Sequence, residues 1–195
     1  MIISKTIQLK INQIPKGQPF TTFELMPCGS RGAIDKVLSR LTQEGKIIRL
    51  SRGIFVRPKK NSYIGTVLPE IPEIIQKKAQ NNGERIQVHG AEAARRLGLS
   101  TQVPLIPVYY TNASSRTYRI VNLTVKMIHT SNPRLLQFSG EPSGLAISAL
   151  WYIGRKKVTT EMVAMIKSKI GSKEFNKLRS ANLPLWMAGL IESSA

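Results

Sequence analysis

The most restrictive feature of this sequence is a change of period between Ser30 and Arg57. Ala33, Ile34, Val37, Leu38 and Leu41 recur three and four residues apart, which predicts a helix from Arg31 to about Glu44. Ser30 stands where an N-cap is needed and Gly45 where the helix must stop. Two strand-like runs follow, Lys46–Leu50 and Ile54–Arg57, joined by Ser51-Arg52-Gly53. A tight hairpin needs positive φ in such a turn, and Gly53 supplies it. Upstream, Ile3, Ile7, Ile11 and Ile14 predict a first helix ending at Pro15. After a turn over Pro15–Pro19, Thr21 or Thr22 caps a short helix over Phe23–Met26, which Pro27-Cys28-Gly29 breaks. Three helices and a two-stranded hairpin are the outline of a winged helix-turn-helix.

The back of the chain reads differently. Prolines 58, 69 and 72 punctuate it, which places a boundary near residue 62 and a connector over Tyr63–Leu68. The expected division is a winged helix-turn-helix over 1–62 and a second domain over 69–195. In that second domain, helices are expected over Pro72–Gln80, Ala91–Leu97, Leu145–Ile153, Thr160–Ile170, Lys173–Arg179 and Leu185–Ile191. Strands are expected at Arg85–Val88, Ile106–Thr111, Thr117–Val121 and Thr124–Ile128, the last three as a small β-meander. The whole chain is therefore expected to be α+β, with C-terminal helices.

Charge narrows the function. The 195 residues hold 29 Lys+Arg against 11 Asp+Glu, a net +18. Residues 1–60 carry 12 of the cations and 3 of the anions, so half of the net charge sits in under a third of the chain. A folded chain this basic points to a polyanion, with nucleic acid the first candidate. The outward side of the Arg31–Glu44 helix carries Gly32, Asp35, Lys36, Ser39 and Gln43, flanked by Arg31 and Arg40; Arg31, Lys36, Ser39 and Arg40 are its candidate contacts, and Ser30 opens it toward a phosphate. The hairpin adds Arg49, Arg52 and Arg57, followed by Lys59 and Lys60. Separate elements thus converge on one duplex-DNA surface, with Arg52 at the hairpin tip where it reaches a minor groove. In the second domain, Arg116, Arg119, Arg155, Lys156 and Lys157 form the candidate partner surface.

No catalytic constellation assembles from the rest. His89 and His129 fall on strand-like segments, and Cys28, the one cysteine, sits in a turn of the other domain. No close acidic pair suggests a metal, and Gly140–Gly144 lacks the lysine of a phosphate-binding loop. Trp151 and Trp186 fall in helical runs as packing residues. We therefore expect a non-enzyme with no metal and no cofactor. Apolar runs such as Val103–Tyr110 are short and proline-broken, which argues against a membrane span. With no signal-like start, the expected compartment is the cytoplasm, with no membrane partner.

Several stretches resemble a known family. Gly29–Asp35, Gly45 and Arg52-Gly53-Ile54-Phe55 resemble the N-terminal domain of AbiEi-type antitoxins. Gly98–Pro104, Ser115–Ile120, Ala149-Leu150-Trp151 and Pro184–Met187 resemble the C-terminal part of a lineage in that group. The resemblance implies a type IV toxin–antitoxin system. In it, the winged helix represses the chain's own operon at an operator, expected to carry inverted repeats. The C-terminal domain opposes a nucleotidyltransferase toxin, without requiring stable binding to it. Two other readings stay open: a winged-helix transcriptional regulator with a ligand-sensing or dimerisation domain, and a basic RNA- or nucleotide-processing enzyme.

Overall fold

A computed structural model describes residues 2–194 as a mixed α and β chain in two compact units. One unit runs to Gly83 and takes in Arg119–Leu123; the other comprises Glu84–Tyr118 and the chain from Thr124 onward. Among the described residues no helix is long and apolar enough to cross a membrane.

The first unit opens with α1 (Ile2–Gln13), which ends two residues before Pro15. Strand β1 (Pro19–Thr21) and a 3₁₀ helix (Phe23–Cys28) lead to α2 (Arg31–Gln43). The Ser30 hydroxyl accepts from the Ala33 amide at 3.4 Å, the N-cap that the sequence predicts. Neither threonine caps the 3₁₀ helix; instead Glu24 reaches back and accepts from the Thr21 amide at 2.7 Å. Strands β2 (Ile48–Ser51) and β3 (Ile54–Val56) form the hairpin, and Gly53 adopts φ +75° in its turn. The segment Pro19–Thr21 is a strand rather than part of a turn. It pairs antiparallel with β3, giving a three-stranded sheet in the order β1-β3-β2. Ile7, Ile11, Phe20, Leu25, Ile34, Leu38, Leu41 and Ile47 close the core beneath it.

Two further elements belong to this unit. Strands β4 (Lys59–Asn61) and β5 (Gly65–Val67) form a second hairpin where the sequence suggests only a connector. Helix α3 (Ile71–Asn81) buries Ile74, Ile75 and Ala79. Its Lys77 pairs with Glu24 at 3.1 Å, and the Asn81 side chain accepts from the Thr21 hydroxyl at 3.0 Å. These contacts anchor α3 to β1 and the 3₁₀ helix, so the division falls after Gly83 and not within residues 62–69.

The second unit holds β6 (Ile86–Val88), α4 (Gly90–Arg96) and β7 (Val108–Thr111). Strands β8 (Arg116–Ile120) and β9 (Leu123–His129), whose joined ends over Arg119–Leu123 group with the first unit, complete a sheet in the order β6-β7-β9-β8. The expected meander is incorrect: β7 pairs with β9 in parallel. The four residues of the Asn112–Ser115 loop are long enough to carry the chain past one strand position, roughly 10 Å across two inter-strand spacings. Ser115 and Ala113 then hold that loop to the end of β9, through the His129 amide at 2.8 Å and the His129 Nδ1 at 3.0 Å. A short 3₁₀ helix (Pro133–Leu136) precedes α5 (Pro142–Ile153), α6 (Thr160–Arg179) and α7 (Leu185–Ser193). Helix α6 is broken at Gly171, whose φ +80° and ψ +159° only glycine adopts readily, which matches the two helices expected there.

The core of this unit is a crossing of α4 on α5. Gly90 lies so close to α5 that a β-carbon there would stand 2.6 Å from the Ser148 carbonyl oxygen and 2.2 Å from the Tyr152 Cβ. The Ser148 hydroxyl donates to the Val88 carbonyl at 2.7 Å and ties α5 to β6. Ala93, Ala94, Ala146, Ile147, Leu150, Val163, Ile166, Phe175 and Met187 fill the space around the crossing. Trp151 and Trp186 pack against this cluster, as their helical placement predicts.

Gly90→Ala is expected to destabilise the chain by about 2–3 kcal/mol, because backbone and Cβ atoms cannot swing aside. Gly189→Ala, with open space around it, is expected to stabilise α7 by about 0.5–1 kcal/mol. Denaturant melts of the two variants check both signs. Val121, a β-branched residue, holds φ +52° in the β8–β9 turn. Val121→Gly is expected to raise the unfolding free energy by about 1 kcal/mol; a fall in stability would contradict a strained turn.

Candidate nucleic-acid interface

Ten side chains of the first unit are candidates for DNA contact, and the structure places seven of them on two different concave surfaces. The first is a groove of about 360 Å³ between α2 and the β2–β3 hairpin. Arg31, Asp35, Ser39 and Gln43 of α2 lie along it, four residues apart, so they form one row on the helix surface. Arg49 of β2 and Arg52 at the hairpin turn face that row, over Leu38 and Phe55. Arg31 pairs with Asp35 at 3.0 Å, both half-exposed, so those two charges largely cancel. Arg49 and Arg52 have no carboxylate partner among the described residues. The groove therefore carries two uncompensated guanidinium forks opposite a hydroxyl and an amide.

The second surface is a cleft of about 480 Å³ that takes in Arg57, Lys59 and Lys60, with Lys16 and Lys46 beside them. Here the side chains divide by task. Arg57 turns its guanidinium onto the carbonyls of Asn12 at 2.7 Å and Ile14 at 2.6 Å. These are carbonyls that α1 leaves without helical partners, so Arg57 acts chiefly as a clamp on the helix end. Lys46 pairs with Glu44 at 2.7 Å, and that hydrogen bond holds the Glu44 carboxyl below its usual range. Lys59 and Lys60 remain exposed on β4.

The other candidates sit apart from both surfaces. Ser30 is occupied as the N-cap of α2. Lys36 is exposed on α2 without lining either hollow. Arg40 donates to the Ser4 hydroxyl at 2.7 Å, which joins α2 to α1. Lys16 and Lys46 are surface residues that the sequence does not mark as candidates. Gln43 was legible one helical step beyond Ser39; Lys16 and Lys46 are brought to the cleft only by folding.

The five cations expected to form a partner surface divide between the two units. Arg116 and Tyr118 share one side of β8 and Arg119 the other, the alternation expected of residues three apart. Arg116 is engaged with Glu84 and Tyr118 and with the Ser114 carbonyl at 2.9 Å, so it is a structural clamp. Arg119 is exposed and groups with the first unit. Arg155, Lys156 and Lys157 are exposed in the turn after Gly154, beyond the last turn of α5 and not within it. His89 caps α4 by accepting from the Ala91 amide at 3.3 Å, and its burial pushes the imidazole pKa down. Its ring lies 4.9 Å from Tyr110 and 5.8 Å from Tyr152. Cys28 packs against the first unit's core, as does Ile14.

Comparison with known proteins gives a family but no activity. No curated protein matches the chain. Its structure is similar to the crystal structure of the RV2827C protein from Mycobacterium tuberculosis. The match has 13% sequence identity, covers 99% of this chain and 82% of that one, and has a TM-score of 0.44. A model of a protein family of unknown function, DUF6088, matches residues 6–178, from within α1 almost to the end of α6. The chain thus belongs to the family of unknown function DUF6088.

Proposed function

We propose that this chain is a DNA-binding antitoxin of a type IV toxin–antitoxin system. In this reading the first unit is a winged helix-turn-helix that holds an operator duplex and represses the chain's own operon. The second unit counteracts a nucleotidyltransferase toxin. One observation carries the DNA part: the polar row of α2 and the unpaired Arg49 and Arg52 face the same groove. An α-helix about 10–12 Å across suits a major groove about 12 Å wide. With α2 seated there, Ser39 and Gln43 meet base edges, while Arg49 and Arg52 take the flanking phosphates or an adjacent minor groove. The toxin part rests on the resemblance of Gly98–Pro104 and Ser115–Ile120 to AbiEi-type antitoxins.

Binding to duplex DNA from upstream of the gene is expected to weaken steeply with salt, since each phosphate contact releases counterions. In fluorescence-anisotropy titrations, the Arg49→Ala/Arg52→Ala variant should lower the slope of log K against log salt by about 2. Gln43→Ala should cost about 1–3 kcal/mol on the preferred sequence and little on unrelated DNA. An unchanged slope and unchanged preference would show that this groove is not the DNA-binding surface.

The two activities are expected to separate by point substitution. The chain passes between the units at Gly83, Tyr118 and Leu123, so a truncation near Tyr63 would remove partners of Arg119–Leu123. Full-length Arg49→Ala/Arg52→Ala, co-expressed with the adjacent toxin, should restore growth while a promoter reporter is derepressed. Loss of both activities together would contradict the division of labour.

A further inference from the structure

The β4–β5 hairpin has no part in the core of its unit. Every residue from Lys59 to Thr66 is exposed. The Asn61 side chain accepts from the amides of Tyr63 at 2.8 Å and Ile64 at 3.3 Å, an Asx turn that sets those two residues at the apex. Tyr63 is 94% exposed and Ile64 73% exposed. Two large apolar side chains side by side in water at a hairpin tip are what packing would avoid, and a two-stranded ribbon gains little stability alone.

The stretch of chain that carries that tip is of one sign. From Gly45 to Pro69 the chain carries six Lys or Arg and no Asp or Glu. Lys59 and Lys60 stand on the stem strand, and the stem rises from the cleft that also holds Lys16 and Lys46. An apolar wedge on a cationic stem is complementary to a surface with anionic rims and a stacked apolar floor. A DNA minor groove is such a surface: phosphates line its edges, and a base step opens to an inserted side chain.

We propose that β4–β5 is a second DNA-gripping arm. Lys59 and Lys60 hold phosphates, and Tyr63 with Ile64 wedges at a base step in the minor groove. This rests on the DNA-binding reading of the first unit but uses a surface separate from the α2 groove. It gives the chain a means of reading how easily a step unstacks, without hydrogen bonds to that step.

The test uses the full chain and duplexes from upstream of its gene, with 2-aminopurine placed at successive steps. Tyr63→Ala/Ile64→Ala is expected to weaken binding about tenfold and to abolish any 2-aminopurine brightening, with the salt slope unchanged. Tyr63→Phe should restore both. Lys59→Ala/Lys60→Ala should lower the salt slope by about 2. If the Arg49→Ala/Arg52→Ala variant loses affinity while tip and stem variants bind like the unaltered chain, the arm is overturned and the α2 groove stands. If only the tip and stem variants lose affinity, the arm stands and the groove is overturned. Failure of the unaltered chain to bind duplex DNA overturns both. Because Tyr63 and Ile64 are so exposed, unchanged thermal melting is expected for the tip variant and confirms that its binding loss is local.

Discussion

Strand β3 is the element on which the first unit depends. It is three residues long, fully buried, and hydrogen-bonded on both edges, to β1 and to β2. Phe55 of β3 stacks against Phe20 of β1 with ring centroids 6.0 Å apart. Without the β1 partner, the β2–β3 hairpin would be a marginal ribbon. With it, the turn that carries Arg52 is held at a fixed distance from α2, and a groove exists between them. The rigidity of a cationic surface is thereby set by apolar residues packed beneath it.

The distribution of carboxylates has the same logic. Among the described residues, seven of the eleven Asp and Glu take part in ion pairs: Glu24, Asp35, Glu44, Glu84, Glu92, Glu141 and Glu174. Several join elements, as Glu24 joins the 3₁₀ helix to α3 and Glu84 meets Arg116 of β8. Glu92 lies between Arg95 and Arg96, whose hydrogen bonds hold its carboxyl down to about 2. Anions are thus concentrated where cations serve the fold. Arg49, Arg52, Lys59 and Lys60 have no counter-charge among the described residues and add to the positive charge of the first unit.

Much of this molecule was legible in its residues. The helix over Arg31–Gln43, its Ser30 cap, the glycine of the β2–β3 turn and the break at Gly171 all follow from side chains within a few positions of one another. The fourfold row on α2 was legible too, since Asp35, Ser39 and Gln43 fall on the side opposite the apolar residues, with Arg31 at its flank. The second hairpin was not read, although Asn61 and Gly65 bracket its turn, because Lys59 to Thr66 shows no buried alternation to mark strands.

What the sequence by itself determined is therefore local: where helices begin and end, where the backbone must turn, and how much positive charge the chain carries. Tertiary structure alone decided the pairings. It placed Pro19–Thr21 beside β3 and set β9 between β7 and β8 in place of a meander. It also turned Arg57 inward onto the carbonyls of α1, while Arg49 and Arg52 stayed outward. The physical reason is range. Caps, periods and turns are governed by atoms a few bonds apart, whereas a strand's neighbour or an arginine's partner is chosen among groups that meet only after the chain has closed upon itself.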